Sequence, residues 1–389
     1  MPLRIPMVGR DATDEHRVAT PLELFFDLTF VVAVAQAGAA LRHELTGGQA
    51  ANAIWAYPLI FFAIWWAWMN FTWFASAYDT DDVLYRVTVF VQMIGVLILA
   101  AGIPRAFERH DFAVTTLGYV VMRLAMVSQW LRAAISDPAR RRSAIRYAIG
   151  IAVVQIGWVV RQAFDAPPAS IAFAVLGPAE LAVPIWAESA GRTTWHPRHL
   201  AERYGLFTII VLGESILAAT VGVQMAIDNE KRLTDLAPVI VGGLLIVFTM
   251  WWIYFEMPRE RATAALRTAF DERSSGAFAW GYGHYFVFGA AAATGAGLAV
   301  AVDQATGSSK LSDWQAGAVT TIPVAIYIVV VWLIHRRYKQ SRAHQYTTPL
   351  GAALILGSTF TPQPVLLTGV IVTAMLAFAL ARPASQVPH

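Results

Sequence analysis

The chain has 389 residues, 57% of them hydrophobic and 14% charged, with a mean hydropathy of +0.51 and a formal net charge of +3. A soluble domain carries about a quarter charged residues, so this balance excludes an ordinary soluble globule and points to a polytopic membrane protein. The small, scattered positive charge argues against a nucleic-acid partner, and the lack of cysteine excludes disulfides, thiolate metal sites and a cysteine nucleophile.

The first twenty residues are polar and mixed in charge, with no short apolar core before Leu22. They predict no removable signal peptide, and the first span acts as its own insertion signal. A bilayer core needs roughly 20 apolar residues of helix. That length predicts spans over 22–41, 54–75, 87–103, 112–135, 145–163 and 169–187, and then over 204–223, 238–256, 276–302, 316–335, 349–361 and 365–381. The eleventh is short, and "TPQP" (Thr361 to Pro364) turns it sharply into the twelfth. Ten spans with a re-entrant hairpin is therefore the alternative count. With the N-terminus inside, cytoplasmic segments collect 21 of the 29 Lys and Arg, including Arg17, Arg132, Arg203, Arg259, Arg261, Arg273, Arg336, Arg337, Lys339 and Arg382. The outer side receives seven, Lys231 and Arg232 among them, and Arg123 alone lies within a span. The positive-inside rule then puts both termini in the cytoplasm. The fold class expected is an all-α, multi-pass integral protein of the inner membrane with about 12 transmembrane helices.

An internal repeat is also expected. "LELFFDLTFVVAVAQ" (Leu22 to Gln36) aligns with "AERYGLFTIIVLGES" (Ala201 to Ser215) at an offset of 179. One span later "WWAWMN" (Trp65 to Asn70) aligns with "WWIYFE" (Trp251 to Glu256) at an offset of 186. Six spans separate the matched pieces, so the halves, residues 1–190 and 191–389, form two parallel pseudo-repeats of the kind found in secondary transporters.

"LELFFDLTFVVAVAQ" and "RHLAERYGLFTIIVLGESIL" (Arg198 to Leu217) together resemble the bacterial low temperature requirement A family. Supporting pieces are "WWAWMNFTWFASAYDTDD", "VQMIGVLILAAGIP" and the arginine of "GYVVMRLAM". The family is named for a growth phenotype in the cold. The resemblance implies a class of membrane protein and brings neither a reaction nor a solute with it.

Function is therefore argued from polar residues inside spans, each of which costs a few kcal/mol or more to bury in lipid. The substrate- or proton-binding candidates are Glu23, Asp27, Asn70, Arg123, Glu180, Glu214, Glu256 and His284. By depth, Arg123 and Glu214 fall near the middle and the other six in the cytoplasmic half, as a cavity open to the cytoplasm requires. Glu23 and Asp27, spaced i, i+4, share a helix face roughly 6 Å apart. Two such carboxylates repel, so one holds a proton unless a cation sits close. For Glu23 the competing role is a helix cap, since Pro21 suits the first helical position. Arg123 needs a carboxylate or an anionic ligand, either in a static structural salt bridge or to bind a substrate anion; Asp27 and Glu214 are the nearest in depth, which groups these three as the core of the site. His284 suits a proton relay or simple packing. "HPRHLAER" has the look of a metal site, but Pro197 interrupts it in a basic loop, and no metal or cofactor is expected. Trp65, Trp66, Trp251 and Trp252 serve as packing or as the lining of a cavity.

The leading functional expectation is a transporter with a titratable carboxylate and arginine site. A membrane-embedded enzyme using Asp27 or Glu214 as general acid on a lipid or isoprenoid stays open beside it, as does an ion pathway or structural protein. No phosphate loop, dinucleotide fingerprint or serine elbow stands in a suitable setting. The expected partners are the lipid bilayer and a small-molecule or lipid ligand, without nucleic acid. The oligomeric state is open.

Overall fold

The computed structural model describes residues 1–11, 17–164, 168–228, 233–256, 263, 266–268, 275–335 and 342–381. The basic residues Lys231, Arg232, Arg259, Arg261, Arg273, Arg336, Arg337, Lys339 and Arg382, which helped to orient the chain, lie outside the described residues.

Every predicted span coincides with a helix. In chain order these are α1 (Pro21–Thr46), α2 (Ala50–Tyr78), α3 (Val83–Arg109), α4 (Ala113–Ser136), α5 (Arg141–Arg161) and α6 (Pro168–Glu188). Then come α7 (Pro197–Asp228), α8 (Leu233–Phe255), α9 (Ser275–Ala305), α10 (Asp313–His335), α11 (Arg342–Ser358) and α12 (Pro364–Leu380). No strand occurs among the described residues. Eight of the helices (α1, α2, α3, α5, α6, α8, α9 and α10) are long and apolar enough to cross a bilayer. The helices α11 and α12 have 17 residues each. At 1.5 Å per residue each spans about 26 Å, slightly less than a hydrocarbon core.

The chain forms two compact units, each assembled from separate stretches of sequence. Unit 1 takes Met1–Gln36, Phe62–Tyr204 and Leu266–Gly276, and unit 2 takes Ala37–Phe61, Gly205–Ala265 and Ala277–His389. The boundaries thus fall inside α1, α2, α7 and α9.

In unit 1, α3, α4, α5 and α6 pack in succession, joined by short connections. Lipid tails are as apolar as leucine, so close association relies on small residues that let backbones approach. A Cβ on Gly118 would sit 2.4 Å from the Leu99 nitrogen and 2.5 Å from the Gly95 carbonyl oxygen. Only glycine allows α3 and α4 this spacing. In unit 2, α8 meets α12 in the same way, where a Cβ on Gly369 would lie 2.7 Å from the Gly242 carbonyl oxygen. Arg42 and Asp303 form a two-pronged ion pair there, at 2.7 and 2.6 Å.

Candidate functional site: a buried ion cluster at the starts of two helices

Unit 1 contains two buried charge clusters, and they differ in how completely their hydrogen bonds are filled.

The first is built on the opening turns of α1 and α7. Glu23 caps its own helix: its Oε2 accepts the Thr20 N–H at 2.8 Å, and its N–H donates to Thr20 Oγ1 at 3.3 Å. This is the reciprocal capping box of a Thr-x-x-Glu sequence. The same carboxylate faces three basic side chains. His199 Nε2 lies 3.2 Å from Oε2, Arg203 Nη1 3.1 Å from Oε1, and Arg17 Nη2 3.8 Å from Oε1. One turn on, Asp27 accepts from Arg203 Nε at 2.9 Å, Arg203 Nη2 at 2.5 Å and Trp68 Nε1 at 2.7 Å. Glu23, Asp27, His199 and Arg203 are all wholly buried.

The pairs Glu23–His199 and Asp27–Arg203 share one sequence separation of 176. Constant separation means that α1 and α7 run side by side in the same direction through this turn. The i, i+4 step of two acids on α1 is thus matched by an i, i+4 step of two basic residues on α7. Pro197 begins α7 instead of breaking it, and the "basic loop" of the sequence reading is the buried face of a helix. His196 accepts the His199 N–H on Nδ1 at 3.1 Å, while its own N–H donates to Ser76 at 2.9 Å.

Asp27 therefore needs no shared proton to be tolerated: a guanidinium grips it from one side and an indole from the other. A carboxylate so held is poorly placed to act as a general acid. Several hydrogen-bonding positions around Glu23 stay unfilled, namely Glu23 Oε1, His199 Nδ1, Arg203 Nη1, Arg17 Nε and, nearby, Thr72 Oγ1. The contacts of Oε1 are charge contacts without hydrogen-bond alignment.

The second cluster surrounds Glu180 on α6. Its Oε2 accepts from Trp66 Nε1 at 2.8 Å and Arg123 Nη2 at 3.1 Å. Its Oε1 accepts from the Tyr119 hydroxyl and from Trp158 Nε1, both at 3.2 Å. Arg123 also donates to the Tyr119 oxygen and lies over that ring, 4.5 Å from its centre. Four donors saturate one carboxylate. This is the pattern of a static structural pair.

The grouping of Asp27, Arg123 and Glu214 is thus corrected by the contacts: Asp27 belongs with Arg203, and Arg123 belongs with Glu180. Glu214 is half-buried on the unit 2 part of α7. Asn70 bonds back along its own helix to the Trp66 carbonyl at 2.7 Å. His284, in unit 2, donates from Nδ1 to the Trp280 carbonyl at 2.8 Å and accepts the Tyr254 hydroxyl on Nε2 at 3.0 Å. Both ring nitrogens are engaged, which supports the packing role. Glu256, half-buried at the end of α8, borders a cleft of about 50 Å³ with His335, Thr347 and Thr348. Trp65 and Trp66 are core residues. Trp251 and Trp252 are each 47% exposed, so these two face outward and do not line an interior cavity.

Sequence reasoning missed His199, Arg203 and Arg17, which were assigned to loops because they flank the apolar runs. The signal that identifies two of them is the matched spacing Glu23-x-x-x-Asp27 and His199-x-x-x-Arg203, which places complementary charges on two helix faces.

No solved structure matches the chain. An uncharacterized protein of Rhizobium meliloti (strain 1021) is similar, 28% identical over 384 residues that cover 93% of this chain and 88% of that protein. The family model of the bacterial low temperature requirement A protein matches residues 18–381, a stretch that includes both Glu23 and Asp27 on α1 and His199 and Arg203 on α7. The chain belongs to the bacterial low temperature requirement A family.

Proposed function

We propose that this protein is a transporter of the bacterial inner membrane, with the Glu23–His199–Arg203–Asp27 cluster as its proton- and solute-binding site. The observation that carries the proposal is that four polar atoms of this buried cluster and its neighbour Arg17, Glu23 Oε1 among them, have no hydrogen-bond partner, whereas the Glu180 carboxylate is saturated and Arg123 Nε is the one atom of that ion pair left unfilled. Buried polar groups without partners are rare and point to a bound ligand, water or a functional role. In this reading all twelve helices cross the bilayer and both termini are cytoplasmic, so the cluster lies at the cytoplasmic end of α1. The two halves are parallel repeats, supported by the common direction of α1 and α7.

The charge count suggests what moves. The carboxylates of Glu23 and Asp27 balance the guanidiniums of Arg203 and of Arg17, which lies 3.8 Å from Glu23, so with His199 neutral these five side chains have no net charge. A proton on His199 adds one positive charge, and a monoanionic solute restores neutrality. Coupled uptake of a proton and a small organic anion is the mechanism that keeps this buried cluster balanced at each step.

The test is proton flux into proteoliposomes that contain a pH-sensitive dye, driven by gradients of small monocarboxylates. Acidification by the wild type that is lost in His199→Gln supports the proposal. Equal acidification by both proteins, or none with any anion, counts against it.

A further inference from the structure

The N-terminal segment makes an unusual set of contacts for eleven residues without regular structure. Pro2 and Leu3 offer carbonyls to the free Val83 and Leu84 N–H groups of α3, at 3.3 Å each. The Ile5 N–H donates to Asp82 Oδ2 at 2.6 Å, and its carbonyl accepts from Arg132 at 2.8 Å. Arg132 also pairs with Asp82. The Gly9 N–H reaches Asp137 Oδ2 at 3.1 Å, and the Arg10 N–H reaches the Ala77 carbonyl at 2.9 Å. Arg10 pairs with Asp79 at 3.4 Å. Six residues past the segment, Arg17 donates to the Ala75 carbonyl at 2.6 Å while facing Glu23.

The segment therefore crosses the ends of α2, α3 and α4 and is held there by hydrogen bonds, to backbone groups and to the acidic side chains of Asp79, Asp82 and Asp137. Met7 is fully buried, but Leu3 is 68% and Val8 51% exposed, so little apolar surface secures it. A segment held this way is among the first to open locally. We infer that residues 2–10 are a latch over the Glu23 cluster, which holds Arg17 against Glu23 when closed and opens the cluster to water when released. The inference rests on the reading of the Glu23 cluster as the functional site.

The natural lack of cysteine makes a single introduced thiol unambiguous. Thr72 is wholly buried, lies one turn beyond Trp68 on the same face of α2, and has no hydrogen bond at Oγ1. Thr72→Cys is therefore the reporter, read as its rate of modification by a cationic methanethiosulfonate reagent in nanodiscs. Deletion of residues 2–10, and separately Asp82→Asn with Asp137→Asn, are each expected to raise the rate at least about tenfold. Equal rates in variants that keep the thermal transition of the parent overturn the latch.

Should those variants fail to fold, Gly9→Cys with Thr194→Cys supplies a reversible lock, since a Cβ on Gly9 lies 2.9 Å from Thr194 Oγ1. Amide hydrogen exchange over 197–204 is then expected to be slower in the oxidised than in the reduced protein, and equal exchange overturns the latch. Neither readout needs a transported solute. Latch-dependent labelling together with no His199-dependent flux would refute the transport reading alone.

Discussion

Replacing Arg203 by glutamine should be the most destabilising conservative change in unit 1, because one guanidinium serves two buried acids. Asp27 would lose two hydrogen bonds and keep only Trp68, while Glu23 would keep His199 and a 3.8 Å contact with Arg17. Removing one partner of a buried pair costs about 3–5 kcal/mol, because the remaining charge is stranded. Asp27→Asn should cost less, since Arg203 still faces Glu23. The double variant Asp27→Asn with Arg203→Gln should cost clearly less than the sum, with a coupling energy of about 2 kcal/mol or more. The assay is thermal unfolding of purified protein in one detergent, followed by tryptophan fluorescence, for all four members of the cycle. Additive costs, or an Arg203→Gln variant as stable as wild type, would refute the ion-pair geometry on which the site is built.

Three further outcomes follow from the packing and the charges. Arg123→Met with Glu180→Leu should cost less than the sum of its two single changes, because no charge is stranded although Trp66, Tyr119 and Trp158 each lose an acceptor, while Glu180→Gln alone loses about 3–5 kcal/mol by stranding Arg123, again read by thermal unfolding. Gly118→Ala should cost about 1–3 kcal/mol because its Cβ meets backbone atoms of α3. By contrast Gly38→Ala, with nothing within 4 Å, should be neutral or gain up to about 1 kcal/mol. Asp79, just past the end of α2, has its carboxyl pushed up to about 6, first by burial and then by the charge of Glu23, with Arg17 and Arg10 opposing. Its folded value lies above its unfolded one, so its favourable contribution is full below about pH 4 and is lost as pH rises through about 6. Asp79→Asn should therefore stabilise the protein at pH 7.5, by at most about 3 kcal/mol, and should flatten the difference in melting temperature between pH 5 and pH 7.5.

The fold was largely legible in the sequence because hydropathy and length fix membrane helices directly. All twelve predicted spans lie on helices, and Glu23 caps α1 as the Thr-x-x-Glu spacing allows. Depth was a poor guide to partners. It put Arg123 beside Asp27, yet the distance between two spans at one depth depends on which helices are neighbours, which hydropathy does not encode. His199 and Arg203 sit in the polar first turns of α7, where hydropathy reports a loop, and only the repeated i, i+4 spacing of opposite charges reveals them. Trp251 and Trp252 show the converse failure: a span buried in lipid exposes large apolar groups outward, so an aromatic pair deep in a span need not face the protein interior.

The most direct test of the account is native mass spectrometry of the protein released from native lipid nanodiscs. Wild type is compared with Glu23→Gln, His199→Gln and the Arg123→Met with Glu180→Leu double variant. A small polar ligand is expected that is kept by wild type and by the double variant and lost from the Glu23 and His199 variants. Retention of that ligand by the Glu23 and His199 variants, or its loss only from the double variant, would contradict the assignment of the site to the starts of α1 and α7.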